Sequence, residues 1–218
     1  MRIALINPNT STATTQQMVR IAAAHFRGDL QGLTAPFGAP LITTPDALDQ
    51  AALAVMALLP DLSGFDGVVV SAFGDPGQAA LARSLPVPVT GIAEAAMAEA
   101  HALAPRFAVV TTTSDLVARI DRRAIDLGHR TAYAGCWITP GDAAEVTADP
   151  DRLLTALHEA ALVALADDPS IGALIIGGGP LAQAAVALAG MLSVPVVQPI
   201  PAAMRLVQSR IEDKDIRP

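Results

Sequence analysis

A chain of 218 residues that is 52% hydrophobic but only 3% aromatic must build its core from Ala, Val, Leu and Ile, and it is long enough for one large domain or two of about 100 residues each. A formal net charge of -7 with no Lys/Arg cluster sets the field against nucleic acid and acidic membrane surfaces, and so few aromatics argue against base-stacking platforms. The single cysteine, Cys136, excludes an internal disulfide or Cys-rich metal site and fits a reducing cytoplasm; the N-terminal apolar run is too short for a signal peptide, and no stretch reaches the length of a membrane span.

In chain order, short β-branched runs alternate with Ala-rich helical stretches. A strand over Ile3–Ile6 is followed by a helix over 12–26, a weaker strand over Leu30–Thr34 and a helix over 46–59. Next come a strand over Gly67–Ala72, a helix over 77–84, a strand over Pro88–Thr90 and a helix over 92–103. The second half runs through a strand over Phe107–Thr111, a helix over 114–127, a weaker strand over Thr131–Cys136 and a helix over 150–166. It closes with a strand over Ala173–Ile176, a helix over 181–191, a strand over Pro195–Val197 and a helix over 201–212. The strand runs are continuously apolar rather than alternating, as strands buried on both faces of a parallel sheet require, and helices between them make βαβ units of an α/β fold.

The order also repeats. Arg2-Ile-Ala-Leu-Ile-Asn-Pro-Asn-Thr-Ser11 resembles Arg106-Phe-Ala-Val-Val-Thr-Thr-Thr-Ser-Asp115, Asp66–Ala72 resembles Gly172–Gly178, and Leu85–Val89 resembles Leu192–Val196, at offsets of 104, 106 and 107 residues. Such register predicts two pseudo-symmetric lobes, each a parallel sheet flanked by helices: residues 1–98 and 99–200, with 201–218 packing back on the first.

Ligands of open parallel sheets sit beyond the carboxyl ends of the strands. Four turns fall there: Asn7–Ser11, Phe73–Gly77, Thr111–Asp115 and Gly177–Leu181. Asn, Ser, Thr and Asp cap helices and Pro suits their first turn, while a helix start offers free N–H groups and a positive dipole end and glycine admits close backbone approach. If the lobes face each other, these ends converge on one space suited to a carboxylate, imide or ureide. Taken singly, each turn also reads as an ordinary cap, with Asp75 a turn or cap residue. The Gly177–Gly179 run lacks dinucleotide and P-loop spacing. His25, His101, His129 and His158 show no metal-ligand spacing; Glu94 is either an exposed helical carboxylate or a cleft group, and Tyr133 and Trp137 read as packing residues.

Together, Ile6-Asn-Pro-Asn-Thr-Ser11, Ala72-Phe-Gly-Asp-Pro-Gly77, Val89-Thr-Gly-Ile-Ala-Glu-Ala-Ala96 and Val109-Val-Thr-Thr112 closely resemble hydantoin and allantoin racemases, the small-substrate branch of the aspartate/glutamate racemase superfamily. The resemblance implies two Rossmann-like lobes, no cofactor and no metal, a small-molecule substrate, and frequent homo-oligomers. It implies that Asn7, Thr10, Ser11, Phe73, Gly74, Thr111, Thr112 and Gly179 lie at the substrate, with Ala72 and Gly178. Those last two are where the family has its pair of cysteines, one thiolate removing the substrate's α-proton and the other thiol returning one from the opposite face. Alanine and glycine transfer no proton, and Cys136 aligns with neither position. Asp75 and then Asp115, the ionisable groups nearest the strand ends, become the candidate acid–base residues, on the condition that burial raises their basicity; Ser71 is expected to point away. The leading reading is a cofactor-independent racemase or isomerase of a small carboxylate, amino-acid derivative or ureide. A decarboxylase, lyase or hydrolase on the same scaffold, or a binding protein that lost its chemistry, are the alternatives.

Overall fold

The computed structural model describes residues Met1–Ile216. Its contacts divide the chain into two compact units. The first holds residues 1–42, 46–95 and the chain from Ile200 onward; the second holds Thr43–Pro45 and Ala96–Pro199.

In the first unit the order is β1 (Arg2–Asn7), α1 (Thr12–Ala23), β2 (Asp29–Thr34), α2 (Pro45–Ala57), a 3-10 turn at Leu59–Leu62, β3 (Gly67–Val70), α3 (Gln78–Ser84), β4 (Val89–Gly91) and the start of α4 (Ile92–Leu103). Its sheet is wholly parallel, ordered β2-β1-β3-β4. Every β3 side chain is buried. One face of the sheet, with Ala4, Ile6, Val68, Val70 and Val89, packs on Val55, Leu58, Leu62 and Leu81. Against the other lies α9 (Pro199–Ile216), which approaches so closely that a Cβ at Gly67 would stand 2.8 Å from a Val207 methyl. Arg210 then anchors α9, binding the Glu94 carboxylate at 2.6 Å and the Thr90 hydroxyl at 3.1 Å.

The second unit repeats the plan with β5 (Phe107–Thr111), α5 (Val117–Asp126), β6 (Tyr133–Ile138), α6 (Ala143–Ala148), α7 (Pro150–Asp167), β7 (Ala173–Ile176), α8 (Ala182–Leu188) and β8 (Val196–Val197). Its parallel sheet is ordered β6-β5-β7-β8, the same permutation as in the first unit. Ala156, Ala160, Ala161 and Ala164 of α7 line its core, small side chains that let helix and sheet approach without aromatic filling.

Three departures from the expected elements have local causes. β6 begins two residues late, because the amides of Ala132 and Tyr133 both close onto the His129 carbonyl and hold the chain in a turn. The helices expected from 114 and 181 are preceded by 3-10 turns at Ser114–Leu116 and Gly179–Leu181. α6 was not anticipated; it is one short segment fixed by Asp142, whose carboxylate accepts from the amides of Ala144 and Glu145, as N-cap residues do.

Within the second unit the His101 and His129 rings meet through Nδ1 atoms 3.0 Å apart, and His129 stands edge-on to Phe107. One Nδ1 must donate and the other accept, so the pair holds when at least one ring is neutral. Burial, and then the nearby His101 charge, lower the His129 pKa from 6.5. A base whose folded pKa lies below its unfolded value supports stability above the unfolded pKa and loses it as pH falls through the folded one. Thermal midpoints should therefore fall progressively below pH 6.5, and His129→Gln should flatten that dependence between pH 7 and pH 5, measured by circular dichroism melts at constant ionic strength.

Candidate functional site

The first strand-end turn is held together from inside. Asn7 Nδ2 lies 2.8 Å from Asn9 Oδ1, 3.0 Å from the Ser11 carbonyl and 3.0 Å from Thr15 Oγ1, and Asn7 Oδ1 accepts the Asn9 amide at 3.1 Å. Two N–H bonds facing three acceptors leave Asn7 no donor to spare, so its amide organises the turn. Ser11 caps α1, its Oγ accepting from the Thr14 amide. Thr10 is half-buried and its amide binds the Ala39 carbonyl at 3.1 Å.

Asn9 differs. Its Oδ1 accepts from Asn7 and from the Ser11 amide at 2.9 Å. A backbone amide can only donate, so the oxygen is fixed there and the NH2 group is turned away from the turn. That Nδ2 has no hydrogen bond among the described residues and is not one of the occluded orphan atoms, although the residue is only 6% exposed. From the sequence Asn9 reads only as a helix-start residue; the available signal is two amides two residues apart, of which one suffices to bind the turn.

The second turn of this unit leaves β3 at Ser71, whose amide extends the ladder to the Ile6 carbonyl. Ala72 is half-buried and Phe73 buried; Gly74 has a φ of 115° and faces the Leu48 side chain. Asp75 has a φ of 52°, the one described non-glycine residue with positive φ. Its carboxylate reaches the start of α4, taking the Ala93 amide on Oδ1 and the Glu94 amide on Oδ2, both at 2.8 Å. Gly91 makes room: a Cβ there would lie 2.1 Å from Asp75 Cγ. The geometry thus gives Asp75 the capping role, with both oxygens engaged by backbone amides. Glu94 is neither an exposed helical carboxylate nor a free cleft group, for it accepts from Arg210, from Gln78 Nε2 and from the Gly91 amide. Ser71 and Thr139 carry the two fully buried hydroxyls without a partner among the described residues.

In the second unit Thr111 Oγ1 donates to the Gly177 carbonyl at 2.6 Å and ties β5 to the turn after β7. Thr112, buried, keeps a hydroxyl with no hydrogen bond among the described residues. A Cβ at Gly178 would meet Leu181 Cγ at 3.0 Å, so the buried Leu181 side chain crowds the volume a side chain at 178 would need. Gly179 is buried and opens the 3-10 turn. Asp115 is exposed, accepting from Ser114 Oγ, and lacks the burial on which its candidacy rested. Cys136 lies on β6, the edge strand; burial, and then the Asp121 charge, push its thiol up to about 12. Tyr133 donates to Asp121 at 2.7 Å, and burial above all raises its pKa. Among the described residues no three His, Cys, Asp or Glu side chains cluster as metal ligands, and no helix is long and apolar enough to cross a membrane.

Asp75→Ala should cost about 3–6 kcal/mol in urea unfolding, since it removes two hydrogen bonds to a charged group, each worth roughly 1.5–3 kcal/mol. Gly91→Ala should cost at least as much, because the added methyl evicts the carboxylate; Asp75→Asn, which tolerates positive φ but keeps one acceptor and turns an NH2 toward the other backbone amide, should fall between the parent and Asp75→Ala. A thiol at about 12 is almost wholly protonated near neutrality, so Cys136 should react with iodoacetamide at pH 7.5 at least about tenfold more slowly than an unperturbed thiol, and Cys136→Ser should leave turnover unchanged.

Comparison with known proteins agrees with this architecture along the whole chain. A hydantoin racemase of Pseudomonas sp. (strain NS671) is 26% identical over 97% of this chain and 86% of its own length. The solved allantoin racemase from Pseudomonas fluorescens superposes with a TM-score of 0.93 at 28% identity, covering 100% of this chain and 95% of that one. The allantoin racemase from Klebsiella pneumoniae superposes with a TM-score of 0.88 at 32% identity, covering 98% and 89%. Both are isomerases, and the doubled parallel-sheet plan is theirs. With the model of the Asp/Glu/Hydantoin racemase family matching residues 3–207, this chain belongs to that family.

Proposed function

We propose that this protein is a cofactor-independent racemase whose substrate is a small ring ureide of the hydantoin or allantoin kind, working as a homo-oligomer in the cytoplasm. The observation that carries the reading is likeness to hydantoin and allantoin racemases over essentially the full chain. The free Asn9 amide supports it, since a ring carbonyl needs a donor of that kind.

The chemistry runs through the acidic C–H between a carbonyl and a ureide nitrogen. Loss of that proton gives an enolate, and return of a proton to either face gives either enantiomer. N–H donors aimed at the oxygen where charge develops stabilise that enolate, each worth about 10²–10³ in rate. With Ala72 and Gly178 at the positions of the family's thiols, and Asp75 engaged at the α4 start, the chain contributes donors rather than a thiol pair. Solvent water then takes the proton and returns one to the enolate carbon, and racemisation requires that it reach that carbon from either face. Each absent acid–base group forfeits about 10²–10⁴-fold, so turnover is slow for the family.

Deuterium exchange at the ring carbon in D₂O, followed by proton NMR, tests the reading with hydantoins, allantoin, aspartate and glutamate. The expected result is exchange of a ring ureide above the buffer rate, lowered at least about tenfold by Asn9→Ala. Exchange at the buffer rate for every compound would remove racemisation as the function.

A further inference from the structure

We infer that His101 and His129 form a binding site for one divalent transition cation, held by their two Nδ1 atoms and completed by water. The site is independent of the racemase reading. The pair stands at the amino end of the second unit's sheet, beside Phe107, the first residue of β5, whereas the strand-end turns leave the carboxyl ends.

Sequence spacing hides this pair. His101 is in the last turn of α4 and His129 in the turn after α5, 28 residues apart, so the short His-x3–5-His spacing of familiar zinc sites is absent. Folding nevertheless brings the Nδ1 atoms to 3.0 Å, with the rings edge to face and their centroids 5.2 Å apart. Imidazole nitrogens bind zinc at about 2.0–2.1 Å, so two of them on one ion stand about 2.9 Å apart at a right angle and about 3.3 Å apart at the tetrahedral angle. The observed separation lies between these, and a cation can take the place of the shared proton once both lone pairs turn onto a point beside the Nδ1–Nδ1 line.

The two residues divide that task. His129 is the fixed ligand: its amide binds the Ala124 carbonyl at 2.9 Å, its carbonyl accepts the Ala132 and Tyr133 amides at 3.0 and 2.8 Å, and its half-buried ring is edge-on to Phe107 at 5.6 Å. A ligand already ordered in this way gives up little freedom on binding. Burial also favours its neutral form, the form that coordinates metals. His101, exposed near a helix end, supplies the ring rotation and leaves the cation open to water. No third His, Cys, Asp or Glu joins the pair among the described residues. Two neutral nitrogens without a carboxylate suit zinc, nickel or copper rather than magnesium or calcium, which take oxygen ligands. The net charge of -7 favours the approach of any cation. Once bound, the ion fastens the end of α4 to the turn that delays β6.

Zinc chloride titrated calorimetrically into the full-length protein, His101→Ala, His129→Gln and the double variant His25→Ala/His158→Ala tests the site. The expected result is one zinc per chain, with affinity lowered at least about tenfold in either single variant and unchanged in the double variant. Nitrogen NMR of the histidine rings in the parent protein should show the Nδ1 resonances of His101 and His129 moving with zinc and unmoved by magnesium chloride, a readout that does not depend on any variant folding. Zinc affinity retained in both single variants, ring shifts at His25 or His158 in place of the pair, or no zinc binding by the parent protein would each overturn the assignment.

Discussion

The Asp75 carboxylate, seated against Gly91 and holding the first amides of α4, is the constraint on which the first unit's strand-end architecture depends. It requires a carboxylate long enough to reach Ala93 and Glu94, a backbone at φ 52° to aim it, and a residue without Cβ at 91 to admit it. Asp tolerates that left-handed backbone better than most side chains. Once seated, it fixes the 71–78 turn to the helix that begins after β4. Glu94 in the same first turn receives Arg210, and Gln78 reaches the Val89 carbonyl at 3.0 Å. Turn, strand end, α4 and the C-terminal helix thereby become one hydrogen-bonded block, and Ala72 is carried at its rim.

That block holds the turn without any contribution from the side chain at 72. Nothing in the cap requires a thiol at 72: the amide of Ser71 continues the sheet and the carboxylate of Asp75 holds the helix, whatever side chain stands between them. At 178 a side chain would be crowded, because Leu181 Cγ stands 3.0 Å from where a Cβ would be. A thiol cannot simply be imagined back into this second turn without moving a buried leucine. The chain's one cysteine offers no substitute, since its thiol, at about 12, stays protonated on an edge strand.

Much of the scaffold was legible beforehand because two-sided burial leaves a plain trace: Gly67–Val70 and Ala173–Ile176 are continuously apolar and are central strands of their sheets. The repeat of strand-end turns likewise anticipated two parallel sheets flanked by helices, while their strand order came from the structure. Edges were harder. β6 is only half-buried throughout, so no strong apolar run marks its start, and a turn around His129 delays it. α6 spans six residues, too few for a helical period to emerge from the sequence.

By itself the sequence determined the strand-and-helix alternation, the doubled plan and the presence of a single thiol, since a side chain that is not encoded cannot be supplied by folding. Tertiary structure alone decided what the polar residues do. Asn7 and Asn9 are the same residue type two positions apart, and only the place of the Ser11 amide makes one a strut and leaves the other's NH2 free. Asp75 became a cap because its partners lie 18 and 19 residues away, a distance that local propensity cannot bridge and three-dimensional packing can.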